Sequence, residues 1–301
     1  MTLLELIKSS AQQLTDAGVA FGHGTTNAFD EAAWLVLWQL GLPLHTSLDD
    51  PLVDTDSKAN QVVASAEQAR VASLLVARIE SRKPAAYLTQ EAWLQGVPFY
   101  VDERAIVPRS FIAELLVEGS LDYWLSTATK RVLDLCTGNG SLAVLAAMTY
   151  PDVTVDASDL SFDALAVARI NVDKHGLSSR ITLLASDGLA NVRGPYDLIV
   201  CNPPYVNARS MAALPPEYHA EPALALSGNA AGGVDGMDFI RQLMVDAPQH
   251  MSDNAVLVLE IGNEQANFEA ACPGLEAVWL DTSAGEAQVL LLTRDALQAL
   301  G

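Results

Sequence analysis

The sequence predicts an α/β protein, a seven-stranded mixed sheet covered by helices, preceded by a small helical domain and a linking β-hairpin. Three observations carry that expectation. From Arg131 onward short apolar runs alternate with helical stretches, the rhythm of parallel strands joined by crossover helices. Up to about residue 88 apolar residues recur at three- and four-residue spacing, as in Leu3, Leu6, Ile7 and Leu14 and again in Ala33, Leu37 and Leu40, which puts each set on one helix face. Between the two regions, residues 93–107 are rich in aromatic and β-branched side chains and are broken at Gly96-Val97-Pro98, the pattern of a hairpin. The boundaries read this way are 1–88, 89–110 and 111–301.

The elements follow in order. Asn27, with Asp30 three positions on, caps a helix that Gly41 and Pro43 stop, and a third helix is expected over about 57–82, ending before Lys83-Pro84. Strands are expected over 131–135, 153–157, 181–185, 196–201, 255–261, 278–280 and 287–293, with helices over 162–175 and 236–250. Only the turn 281–285 separates the last two strands, so they pair antiparallel.

Composition narrows the function. Half of the 301 residues are hydrophobic, enough for a substantial core, and 17 Lys plus Arg against 37 Asp plus Glu give a formal charge of -20. Such a field repels phosphate backbones, so nucleic acid is a poor direct partner. A basic protein partner fits better, although the same charge also serves solubility. The first eight residues lack the basic region of a signal peptide, and the apolar stretch 32–44 is interrupted and shorter than the roughly 20 residues of a membrane span. Cys136, Cys201 and Cys272 have no metal-ligand spacing, so no metal is expected, and free thiols fit a reducing cytoplasm.

Two motifs carry chemistry. In the first, the apolar run Val132-Leu133-Asp134-Leu135 enters Cys136-Thr137-Gly138-Asn139-Gly140, a glycine turn whose backbone a ligand can approach closely. Gly138, Gly140 and Ala143 also satisfy a dinucleotide-binding pattern, with Asp159 about 20 residues on, so a dehydrogenase is one alternative. Asp134, Asp159 and Asp187, each at a strand's carboxyl end, suit a ligand with an ammonium group, a ribose and an adenine better than a pyrophosphate. S-adenosylmethionine is such a ligand. In the second motif, Asn202-Pro203-Pro204-Tyr205 follows the fourth strand. Its prolines lock φ and remove two donors, leaving the Asn202 side-chain oxygen and the Pro203 carbonyl to accept from a planar NH2 group, with Tyr205 packed on it.

Together these motifs resemble the HemK-type protein-glutamine methyltransferases, which methylate the side-chain amide nitrogen of glutamine in translation proteins; the likeness extends to the helical domain and to Val107-Pro108-Arg109-Ser110. Residues 22–27 (Gly-His-Gly-Thr-Thr-Asn), 86–89, 91–93, 99–104 and 260–263 look like the PrmB branch, which modifies the third protein of the large ribosomal subunit; its sister branch modifies release factors. The resemblance implies a Rossmann-like S-adenosylmethionine-dependent methyltransferase domain over 111–301 and a substrate-recognition role for 1–88. It also implies that Asp134, Thr137, Gly138, Gly140, Asp159, Asp187 and Asn202 bind the cofactor. Asn202, Pro203, Pro204 and Tyr205 would form the glutamine pocket, with Asn202, Pro203 and Tyr205 acting in the transfer. Asn139 departs from the Ser common in the family, Ser141-Leu142 stands where Cys-Ile is expected, and Phe111 is a further departure. His23 reads as structural, and Arg109 as orienting either the linker or the substrate segment. The alternatives are a release-factor methyltransferase, an adenine-amino DNA methyltransferase, which would need a basic DNA-reading region, and a non-catalytic ribosome-assembly binder.

Overall fold

Alternation along the strands decides the second half of the fold. In the computed structural model, which describes residues 1–49 and 52–300, Val132, Leu198, Val200, Val256, Val258 and Leu291 join one buried cluster, while Leu133, Leu135, Ile199, Leu257, Leu259 and Leu292 join another. Neighbouring residues of a strand point to opposite faces, so both faces of the sheet are apolar and both are covered. Each fully buried Leu, Ile or Val is worth roughly 1.5–3 kcal/mol.

The chain separates into two units, Met1–Glu91 with Pro215–Ala220, and Ala92–Leu214 with Glu221–Gly301. In the first, helix α1 (Leu3–Asp16) starts at a reciprocal cap, in which the Glu5 N–H donates to Thr2 Oγ1 at 3.3 Å and the Thr2 N–H to Glu5 Oε2 at 2.8 Å. Helix α2 (Ala28–Gln39) starts as expected at Asn27, whose Oδ1 accepts from the Asp30 N–H at 3.0 Å. Helix α3 (Ser65–Ser81) is shorter than expected: residues 57–64 are not helical. The Leu3 and Leu4 N–H groups donate to the Gln61 and Ala59 carbonyls, and Thr2 bridges Val62, so that segment pairs with the N-terminus instead. A short α4 (Ala85–Thr89) follows.

The second unit opens with a hairpin, β1 (Ala92–Leu94) and β2 (Val97–Phe99), and a short α5 (Ile112–Val117). The hairpin ends earlier than the 107 expected. Instead Asn171 holds Tyr100, accepting its N–H at 2.7 Å and donating to its carbonyl at 2.9 Å. The sheet then builds through β3 (Arg131–Leu135), α6 (Ser141–Thr149), β4 (Thr154–Asp159), α7 (Phe162–Lys174), β5 (Ile181–Ala185) and β6 (Tyr196–Cys201). It ends with α8 (Ala208–Ala213), α9 (Asp238–Asp246), β7 (Met251–Glu260), α10 (Gln265–Ala271), β8 (Val278–Thr282), β9 (Gly285–Thr293) and α11 (Arg294–Leu300). The expected helix 236–250 is thus α9 plus a 3-10 turn, Ala247–His250, where Pro248 lacks the donor that would continue an α-helix.

Seven strands run in the order β5-β4-β3-β6-β7-β9-β8, parallel except for β9, which is antiparallel to both β7 and β8. The expected mixed sheet and terminal hairpin are both present. Succession reverses between β3 and β6, and the carboxyl edge at such a reversal is where open α/β sheets bind ligands.

Candidate active site

At that edge Leu135 of β3 pairs with Ser158 of β4 on one side and Cys201 of β6 on the other, so the glycine turn and the 202–205 loop leave the sheet side by side. Asp134 is fully buried. Its Oδ2 accepts from Thr137 Oγ1 at 2.5 Å and from the Ala143 N–H at 2.9 Å, which satisfies one free donor of the first turn of α6. Its Oδ1 has no hydrogen-bond partner among the described residues, and burial pushes the carboxyl up to about 7.

The turn between β3 and α6 is left-handed at three positions, Cys136 (φ 62°), Gly138 (φ 56°) and Gly140 (φ 82°). Gly140 is also a packing requirement: a Cβ there would stand 3.1 Å from Ala168 Cβ and 3.2 Å from its Cα, on α7. The Gly138 N–H donates to Asp159 Oδ2 at 2.9 Å, and Asp159 Oδ1 accepts from the Ser161 N–H at 2.8 Å. Burial raises the Asp159 carboxyl, and each of its oxygens keeps a further lone pair for a hydroxyl donor. Asn171 donates to the Asn139 carbonyl at 2.8 Å, tying the turn to α7.

Asp134, Thr137, Gly138, Gly140 and Asp159 therefore form one linked group. Asp187 stands apart, exposed just beyond β5. On the neighbouring strand Asn202 is half-buried, and neither its side chain nor the Pro203 carbonyl has a hydrogen-bond partner among the described residues. Tyr205 is seated by two glycines. A Cβ at Gly262 would lie 2.7 Å from its ring and one at Gly236 would lie 2.1 Å from its carbonyl oxygen. Its hydroxyl donates to Glu260 Oε1 at 3.4 Å, and burial pushes the phenol well above its ordinary value.

Two acids were not legible as site residues. Glu260, 2% exposed at the end of β7, accepts from Ser110 Oγ at 2.6 Å and from the Phe111 N–H at 2.8 Å, and burial pushes it up to about 7. Glu221 takes the fork of Arg109 at 2.7 Å on each oxygen, and its Oε1 also accepts from the Val107 N–H at 3.0 Å. Arg109 thus orients its own segment. A lone acid closing the apolar run 255–259 is the signal that could have singled out Glu260; Glu221 has none.

Among the described residues no cluster of His, Cys, Asp or Glu could hold a metal, and no helix is long and apolar enough to cross a membrane. The family model for the methyltransferase small domain matches residues 113–215. A Bordetella pertussis protein described as ribosomal protein uL3 glutamine methyltransferase is 52% identical over 299 residues, covering 98% of this chain and 96% of its own. One of the same description from Burkholderia pseudomallei is 48% identical, covering 99% and 96%. The solved catalytic domain of hMettl16 with a MAT2A 3′UTR hairpin superposes with a TM-score of 0.51 at 15% identity, over 76% of this chain and 81% of that one, which establishes the shared fold.

Proposed function

The chain belongs to the family of ribosomal protein uL3 glutamine methyltransferases, and from that premise we propose that it transfers a methyl group from S-adenosylmethionine to the side-chain amide nitrogen of a glutamine in ribosomal protein uL3. The observation that carries this reading is the pair of unpartnered acceptors, Asn202 Oδ1 and the Pro203 carbonyl, held in a rigid loop beside the glycine turn.

The residues present fit the cofactor. A buried carboxylate oxygen without a partner, Asp134 Oδ1, suits an ammonium group. The left-handed turn around Thr137, Gly138 and Gly140 leaves backbone open to the methionine portion. Asp159 retains acceptor capacity for ribose hydroxyls, and Asp187 stands at the next strand end for the adenine. When bound, S-adenosylmethionine supplies an electrophilic methyl and its own leaving group.

The chain's own task is orientation. An amide nitrogen is a poor nucleophile because its lone pair is delocalised. Accepting its two N–H bonds at Asn202 and Pro203, with Pro204 and Tyr205 against the planar group, fixes the lone pair toward the methyl. Orientation and fixed dipoles of this kind lower a barrier by several kcal/mol. With the cofactor bound, the nitrogen held at Asn202 and Pro203 would take the methyl as the sulfur leaves with the bonding electrons, and the amide proton would pass to water. No dedicated base is required.

We assign the helical domain, residues 1–88, to recognition of uL3, with the hairpin segment 89–110 as the link to the transferase domain, 111–301. The reaction belongs in the cytoplasm, where ribosomal proteins are made and thiols stay reduced. Incubation with labelled cofactor and purified uL3 tests the proposal: label appears on the protein, and Asn202→Ala lowers kcat by about 10²–10³-fold. Label on ribosomal RNA or DNA with none on uL3 overturns it.

A further inference from the structure

Glu260 joins two segments that lie far apart in sequence. Its Oε2 takes both Ser110 Oγ (2.6 Å) and the Phe111 N–H (2.8 Å), while its Oε1 faces Tyr205 Oη at 3.4 Å. Tyr205 is the last residue of the 202–205 loop, and its ring lies where Gly262, two residues beyond Glu260, lacks a Cβ. A single β7 corner therefore receives both the ring and the hydroxyl of Tyr205. The same corner anchors the segment that Arg109 and Glu221 hold from the other side. Beyond Tyr205 the chain is fixed through Val206, whose N–H donates to the Leu226 carbonyl at 2.9 Å, while the Asn202 side chain and the Pro203 carbonyl bond to nothing among the described residues.

We propose that Glu260 is a positioning residue for the transfer: by holding the Tyr205 hydroxyl it sets the wall against which the glutamine amide is aligned. This inference rests on the glutamine reading above. Glu260 acts through Tyr205 and touches neither substrate nor cofactor. Its effect therefore falls on kcat, leaving cofactor affinity and the anchoring of Ser110 as separate matters.

The test compares Tyr205→Phe, Glu260→Ala, Glu260→Gln and the double variant Tyr205→Phe/Glu260→Ala, measuring kcat on uL3 and calorimetric binding of S-adenosylmethionine. Loss of one hydrogen bond to a carboxylate predicts a fall of about tenfold in kcat for Tyr205→Phe. Glu260→Ala falls at least as far, and the double variant falls no further than Glu260→Ala alone. Glu260→Gln keeps a polar partner for both segments and recovers most of the rate. Cofactor affinity stays within about twofold throughout. Full kcat in Tyr205→Phe, or losses that multiply in the double variant, overturns the inference while leaving the glutamine reading intact. Tyr205→Phe removes one oxygen and keeps the ring packing, so this arm decides the matter even if Glu260→Ala does not fold. An inactive wild-type enzyme on uL3 overturns both.

Discussion

Burial of the Asp134 carboxyl makes both stability and cofactor binding depend on pH. Its folded pKa of about 7 exceeds the ordinary 3.8, so between those values the folded chain keeps a proton that the unfolded chain releases. The contribution of this carboxyl to stability is therefore fully present below about pH 4, is lost as pH rises to about 7 and then levels, a change of roughly 4 kcal/mol. Glu260, raised from 4.5 to about 7, adds a change of the same sign. Urea unfolding of Asp134→Asn should show a shallower decline over this range than the wild type. A bound ammonium group favours the ionised carboxylate, so wild-type affinity for S-adenosylmethionine should rise between about pH 5 and 7 and flatten above. Calorimetry across that range measures it; a flat profile would separate Asp134 from the ammonium.

Between elements, the first unit is organised around a charge that no helical periodicity announces. Arg78 of α3 is fully buried; it donates to Glu31 of α2 at 2.8 Å and to the Ala20 carbonyl at 3.0 Å, and lies 3.6 Å from Glu217. Arg82 reaches Glu217 at 2.9 Å, and the His23 ring lies against Tyr218 at a centroid distance of 4.3 Å. A Cβ at Gly22 would meet the Tyr218 hydroxyl at 2.3 Å. The motif at 22–27 thus receives Pro215–Ala220, a segment ten residues beyond Tyr205 in the sequence. That accounts for Gly22 and for His23 structurally. Arg78→Ala would leave Glu31 and Glu217 buried beside a lost cation, and should lower unfolding free energy by about 3–5 kcal/mol in urea denaturation. A change below about 1 kcal/mol would mean that the acids are neutralised some other way.

Over the whole molecule, the formal charge of -20 acts at distances beyond any single pair. A basic protein substrate is steered toward such a surface, and salt screens the attraction within about 8–10 Å near physiological ionic strength. The KM for uL3 should therefore rise with added salt while the kcat of the bound complex changes little. A salt-independent KM would reduce the acidity to a solubility feature and leave the methyl-transfer reading untouched.

What the sequence determined by itself is whatever local rules control. Short apolar runs alternating with helical stretches marked the strands, and the Asn27 cap marked α2. The glycines at 138 and 140 permit a left-handed φ and the two prolines at 203 and 204 lock theirs, wherever these residues stand, so both loops of the candidate site were legible before any contact was known. Where local pattern competed with a distant partner, tertiary structure decided. Residues 57–64 read as helix but pair with the N-terminus, and Arg78, in a helix of ordinary periodicity, turned out to be buried. Glu260 meets Ser110 across 150 positions, and Glu221 meets Arg109 across 112. No spacing rule links residues so far apart, and the desolvation that raises Asp134 and Glu260 arises only when the sheet and its covering helices close around them.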